Sequence, residues 1–155
     1  METNQPTRGI RNNNPLNIKI GKSKWVGKKN ALEKKDFTFE EFDTMQNGVR
    51  AAIKLLQNYI RCGYNTVERI VPRWCPDETR ENYTKYVLEC MKGNLENFKP
   101  DAPMAVHDYE GLFVLVSAMA WWESRYRLSE EMFLLAWLDL NRNNSYNKRK
   151  KTEAE

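Results

Sequence analysis

The stretch Leu112-Phe-Val-Leu-Val-Ser-Ala-Met-Ala-Trp-Trp122 limits the chain more than any other segment. A helix drawn through it carries apolar or small side chains on every face, so it must be enclosed by the rest of the protein. At eleven residues, followed by charge, it is too short to cross a bilayer, and no membrane span is expected. The run ends at Glu123. A carboxylate in the last turn of a buried helix meets desolvation and the partial negative charge of the helix C-terminus, and both raise its pKa. A carboxylic acid kept protonated near neutral pH is what a general acid for glycoside cleavage needs, so Glu123 is the candidate catalytic residue. The plainer alternatives are a surface residue ending a core helix, or half of an ion pair with Arg73 or Arg125.

A chain of 155 residues can bury one sizeable core, and the reading is a single domain over 1–142 with a charged, disordered tail over 143–155. The 12% aromatic content, with five Trp and seven Tyr, suits a core but also suits a sugar-binding groove, where flat rings cover the apolar faces of pyranoses. The net charge of +4 comes mainly from Lys19–Lys35 and Lys148–Lys151. That balance fits an approach to an anionic cell-wall polymer. It also permits nucleic-acid binding, but no binding motif accompanies it, so a nucleic-acid partner is not expected. Cys62, Cys75 and Cys90 form no Cys-x-x-Cys pair, and His107 is the sole histidine. No metal site and no cofactor are therefore expected, and the thiols are read as reduced and partly buried. The start Met1–Arg8 has no apolar segment, which implies cytoplasmic synthesis without a classical signal peptide.

The pattern along the chain predicts an α+β, mostly helical fold with a small N-terminal β-sheet. Alternation over Leu16–Ile20 and the run Phe37–Phe42 are the strand candidates, separated by a basic loop with Trp25 and Gly27. Asn47 is placed as the cap of a helix with apolar positions Val49, Ala52, Ile53, Leu56 and Ile60, closed by Gly63. Asn65 and Glu68 resemble a capping box before a short helix that Pro72 interrupts or kinks. A third helix is expected from Glu78 to Met91, stopped by Gly93; Asp108 caps the buried helix; and Ser129 opens a last helix through Leu140.

Several blocks together resemble a family of phage virion and lysin proteins that are lysozyme-like and peptidoglycan-degrading. They are Arg8-Gly-Ile-Arg-Asn-Asn-Asn-Pro-Leu-Asn-Ile18, Trp25-Val-Gly27, Phe39–Phe42, Gly48-Val-Arg-Ala-Ala52, Asn65–Ile70, Arg73-Trp-Cys-Pro76, Glu81-Asn-Tyr-Thr84 and Trp122-Glu-Ser124. The family's pattern has Gly where this chain has Leu16, His where it has Trp122, and Asn-Gly where it has Ser124-Arg125. The first block is also similar to a stretch of bacterial cell-wall glucosaminidases that follows the helix bearing their catalytic Glu. Here only eleven residues precede Asn12, so the matching glutamate is Glu123, as in a circularly permuted lysozyme-like arrangement.

The resemblance implies cleavage of peptidoglycan glycan strands, of lysozyme or lytic-transglycosylase type, by a single Glu acting as general acid and base. The alternative is a non-catalytic virion or cell-wall-binding protein. Either would act at the cell wall as a monomer, with glycan strands and other virion proteins as partners. Asn13, Asn14, Asn17, Trp25, Phe39, Tyr83, Tyr86 and Trp122 are the expected substrate-binding residues. Each also has a structural reading: the asparagines as turn formers, and Trp25, Trp74 and the tyrosines as core. Trp121 and Trp122 point about 100° apart, so one can be core while the other faces a groove. An inverting hydrolase would need a second carboxylate, for which Asp36, Glu40, Glu41 and Asp43 are the candidates. Glu110 lies in the first turn of its helix, where its pKa is lowered, and is a poor acid.

Overall fold

The computed structural model describes residues 5–154, with side chains as far as Arg142. Residues 1–4 of the polar start and Glu155 lie outside the described residues. The fold is mostly helical, with elements α1 (Arg8–Arg11), α2 (Met45–Arg61), α3 (Val67–Trp74), α4 (Arg80–Asn94), α5 (Tyr109–Ser124) and α6 (Glu130–Ala154).

Helix α5 is the enclosed element that its composition demands. Leu112, Leu115, Val116, Met119 and Ala120 are fully buried, and the helix packs against α1, α2 and α4, while α2 also packs against α6. Asp108 opens α5 by accepting from the Gly111 N–H at 3.0 Å, the expected cap. Arg125 closes it at φ 52°, in the left-handed region where the resembled pattern carries Gly. The main core joins Leu56, Ile70, Tyr83, Met91 and Phe133 to this helix. A smaller cluster of Ile18, Phe42 and Ala51 is walled by Trp25, Leu55 and Trp74.

Several boundaries differ from the expected ones. Thr44, not Asn47, caps α2, and its hydroxyl accepts from the Asn47 N–H at 3.1 Å. Thr66 precedes α3 without a side-chain cap, and Pro72 sits inside the helix near its end, where little ladder remains to be broken. Gly93 lies within α4 rather than stopping it. The last helix continues past Leu140 to Ala154, through the segment 143–154 read as a disordered tail; no Gly or Pro interrupts it.

The expected N-terminal sheet is replaced by loops. Among the described residues there is no strand, only single antiparallel bridges between Lys19 and Phe39 and between Lys28 and Phe42. Backbone hydrogen bonds from the Ile20 N–H to Thr38 and from the Glu40 N–H to Ile18 frame the first bridge, and beyond them side chains take the groups that a longer ladder would use. Asn14 Nδ2 donates to the carbonyls of Ile18 and Glu40, each at 3.0 Å, and its Oδ1 accepts from the Ile18 N–H at 2.9 Å. The Glu41 carboxylate accepts from the N–H groups of Lys35 and Asp36. The loop block is locked onto α2 and α5 by close approaches. A Cβ on Gly9 would stand 1.8 Å from Ser124 Oγ, and one on Gly48 would stand 1.8 Å from the Asn13 carbonyl oxygen. Helix α1, which the sequence pattern did not suggest, is capped by Thr7, whose hydroxyl also donates to the Ser124 carbonyl at 2.6 Å.

Candidate functional site

The start of the chain and the end of α5 meet at Glu123. Ser124 Oγ donates to the Pro15 carbonyl at 2.8 Å, and with Thr7 this pins the end of α5 to the asparagine block. Asn17 then turns at φ 54°, a left-handed conformation that asparagine tolerates better than most residues. Its Nδ2 reaches the Glu123 carbonyl at 3.2 Å and the Glu123 carboxylate at 3.5 Å. From the end of α3, Trp74 Nε1 donates to the other carboxylate oxygen at 3.2 Å.

Glu123 is half-buried and takes part in no ion pair among the described residues. The two arginines that could have paired with it are engaged elsewhere: Arg73 lies over the Tyr64 ring and Arg125 over the Trp121 ring. Burial pushes the Glu123 pKa above the ordinary carboxylate value; hydrogen bonding by Asn17, Trp74 and Tyr83 pulls the other way, and the nearby charge of Asp77 adds to the rise. The Tyr83 hydroxyl is fully buried and has no formed hydrogen bond, although it stands close enough to act on the carboxyl. Burial and the Glu123 charge raise the Tyr83 pKa in turn. The Asn17 carboxamide oxygen is a second buried polar atom without a partner.

An aromatic wall stands beside this group. The Tyr83 ring stacks on Trp122 with centroids 4.9 Å apart, and Tyr86 tilts against the other rings' partner, Trp122, at 5.6 Å. Burial, with the neighbouring Cys90, pushes the Tyr86 hydroxyl up to about 12. Glu123, Asn17, Tyr83, Tyr86 and Trp122 are thus brought together, with Trp74 joining as a carboxylate donor.

The other expected substrate-binding residues make structural contacts away from Glu123. Asn14 is wholly buried, and its amide is spent on the backbone of Ile18 and Glu40. Asn13 Nδ2 donates to the Phe42 carbonyl at 3.1 Å. Trp25 packs on the smaller cluster. Phe39 lies under the Arg8 guanidinium, 4.5 Å from ring centroid to charge. The four carboxylates considered as a second catalytic group are similarly committed. Asp36 pairs with Arg8 at 2.6 Å, and Glu40 pairs with Lys28 at 2.9 Å and with Lys34 at 3.5 Å. Glu41 holds backbone N–H groups, and Asp43 accepts from Asn47 Nδ2. The carboxylate whose charge is felt at Glu123 is Asp77, which is not among the carboxylates that the sequence pattern singled out. Asp77 is held ionised chiefly by hydrogen bonds from the hydroxyl and N–H of Thr79.

A cavity of about 240 Å³ lies apart from these groups, between the end of α4, the 95–108 connection and the first turn of α5, with Met91, Phe98, Met104 and Glu110 in its wall. Among the described residues, no cluster of His, Cys, Asp or Glu could hold a metal ion, and no helix is long and apolar enough to cross a membrane. Cys62 is exposed, Cys75 and Cys90 are half-buried, and all three are free thiols. His107 is exposed, edge-on to Trp137.

No family model matches the chain. Part of it is similar to Protein P5 of Pseudoalteromonas phage PM2, with 42% identity over 92 residues, which is 56% of this chain and 56% of that protein. The chain therefore spans about half the length of this curated relative.

Proposed function

We propose that the protein cleaves the glycan strands of peptidoglycan with Glu123 as general acid and then general base, in a lysozyme-like, circularly permuted arrangement. The observation that carries this reading is a carboxyl without an ion-pair partner among the described residues, raised in pKa by burial and set beside the half-buried Trp122 and Tyr86 rings, with Tyr83 packed behind them in the core. Rings of this kind cover the apolar face of a pyranose. In the first step the Glu123 proton passes to the glycosidic oxygen as the bond from that oxygen to the anomeric carbon breaks, leaving an oxocarbenium-like sugar. The carboxylate then takes a proton from the attacking hydroxyl. If that hydroxyl is the sugar's own C6 group, the product is a 1,6-anhydro end; if it is water, the product is a reducing end. With Asp36, Glu40, Glu41 and Asp43 committed elsewhere, the intramolecular route, which needs no further carboxylate, is the favoured one.

The partial similarity to a phage protein supports a phage setting; the cell wall is the proposed place of action, as a virion-associated monomer. Mass spectrometry of digested sacculi tests the reading. Cleavage products are expected from the native chain, and Glu123→Gln is expected to lower their rate by about 10²–10⁴-fold while remaining folded. Unchanged cleavage by the variant removes Glu123 from the reaction. A second reading, a wall-binding virion protein without turnover, is favoured by one feature. Both carboxylate oxygens already accept hydrogen bonds, which favour the ionised form over the acid. It predicts binding of glycan fragments with no new ends formed.

A further inference from the structure

Two guanidinium groups flank one indole beside the Glu123 site. Arg127 lies over the Trp121 ring at 5.1 Å from its centroid and Arg125 lies over it at 5.5 Å. The two charges are thus within about 11 Å of each other, close to one Debye length at 0.1 M salt (about 10 Å). Both side chains are exposed, and neither has a carboxylate partner or a side-chain hydrogen bond among the described residues. Arg8, the arginine at the opposite side of the Thr7–Ser124 contact, is by contrast fully engaged by Asp36.

The placement of this pair is specific. Arg125 occupies the left-handed closing position of α5, where glycine is the residue without steric cost. It stands three residues after Trp122, at the close of the same helix. A guanidinium stacked on a ring keeps its in-plane N–H donors free, and that fork matches a carboxylate with two parallel hydrogen bonds. Two such forks with like charge repel each other until an anion bridges them.

We infer that Arg125 and Arg127, braced on Trp121, form a subsite for the carboxylates of the peptide stems borne by peptidoglycan glycan strands. This rests on the proposed glycan substrate but not on turnover, because the subsite acts by binding. A strand lying along Trp122 and Tyr86, the half-buried rings, would run beside the end of α5, where the two forks stand. The subsite would make the protein prefer peptide-bearing strands to bare ones.

The test is binding of the full chain to soluble glycan strands, compared with the same strands after an amidase has removed the peptides. A second arm uses a single-stranded DNA oligonucleotide as competitor. Peptide-bearing strands are expected to bind about tenfold more tightly than stripped ones. The double variant Arg125→Gly with Arg127→Gln is expected to lose that preference while binding stripped strands as before. Glycine suits the left-handed position, so the variant keeps the helix closure. Equal binding of both strand types by the native chain, or a preference that survives in the variant, overturns the subsite. So does displacement of the peptide-bearing strands by DNA at comparable concentration, which would mark a general polyanion surface. A chain that prefers peptide-bearing strands but forms no new glycan ends keeps the subsite and loses the enzymatic proposal.

Discussion

Two carboxyl groups mark two regions of this molecule that are built on opposite terms. In the loop block 8–43, Asp36 accepts both prongs of Arg8, the Asn12 amide and the N–H groups of Thr38 and Phe39. Foremost the Arg8 hydrogen bonds hold its pKa far below the carboxylate range. Where α5 ends, Glu123 has no cation, and burial drives its pKa the other way. The first region uses an ionised carboxylate as a strut for backbone that has almost no regular structure. The second places a carboxyl where ionisation is disfavoured and supports it with apolar packing. A paired strut and an unpaired, buried acid are thus distinguishable by the sign of one shift, although both are acidic residues next to aromatic rings.

The largest stability effects should come from the apolar side. Leu115 is fully buried in α5, and Leu115→Ala is expected to cost about 2–5 kcal/mol, read from denaturant unfolding. Asn14→Ala removes the partner of the Ile18 N–H and of the Glu40 carbonyl, while the Ile18 carbonyl keeps the Glu40 N–H, and leaving buried polar groups unpaired costs about 1–3 kcal/mol. If Asn14→Ala proves the more damaging, the asparagine block is the primary scaffold and the helical core is secondary, reversing the order argued here.

The apolar half was readable in the amino-acid sequence because its signals are local and periodic. The run to Trp122, the Asp108 cap and the Ser129 hydroxyl, which accepts from the Met132 N–H, depend on neighbours three or four residues away. The loop half was not, because there side chains replace the backbone partners. The alternation of Leu16–Ile20 reads as a strand, yet Asn14 takes the hydrogen bonds that would have extended it. The site was legible only in part for the same reason. Glu123 stands out from its position on α5 alone. That Trp74 and Asn17 would serve it, while Asn13, Asn14, Trp25 and Phe39 would not, depends on contacts between residues 49 to 106 positions apart.

The contrast between the two carboxyls can be sharpened by pH. A lowered folded pKa means that the Asp36 contribution is complete above the unfolded value, about 3.9, and is lost as pH falls toward the folded one. Asp36→Asn should therefore destabilise at neutral pH and converge on the native chain in acid. A raised folded pKa has the reverse sign. The Glu123 contribution is complete below the unfolded value, about 4.3, and is lost as pH rises through the folded one. Glu123→Gln should gain stability relative to the native chain as pH rises over that window. Unfolding midpoints measured from about pH 3 to 7 give two difference curves. Curves of the same slope would erase the distinction between strut and acid.

The smallest expected effect isolates one hydroxyl. Tyr83 Oη is buried without a formed hydrogen bond, so Tyr83→Phe removes a group whose desolvation is uncompensated and keeps the ring that stacks on Trp122. Stability should change by less than about 1 kcal/mol, in either direction. The Glu123 titration should respond, because the buried phenol stands close enough to lower its pKa even though no hydrogen bond is formed. Losing the hydroxyl moves the carboxyl further up, extending the range over which it keeps its proton. Carboxyl-carbon NMR titration of Glu123 in the two proteins reads this directly and needs no turnover. A downward movement, or none, would mean that the phenol does not serve the carboxylate and that Asn17 and Trp74 alone set how readily Glu123 gives up its proton.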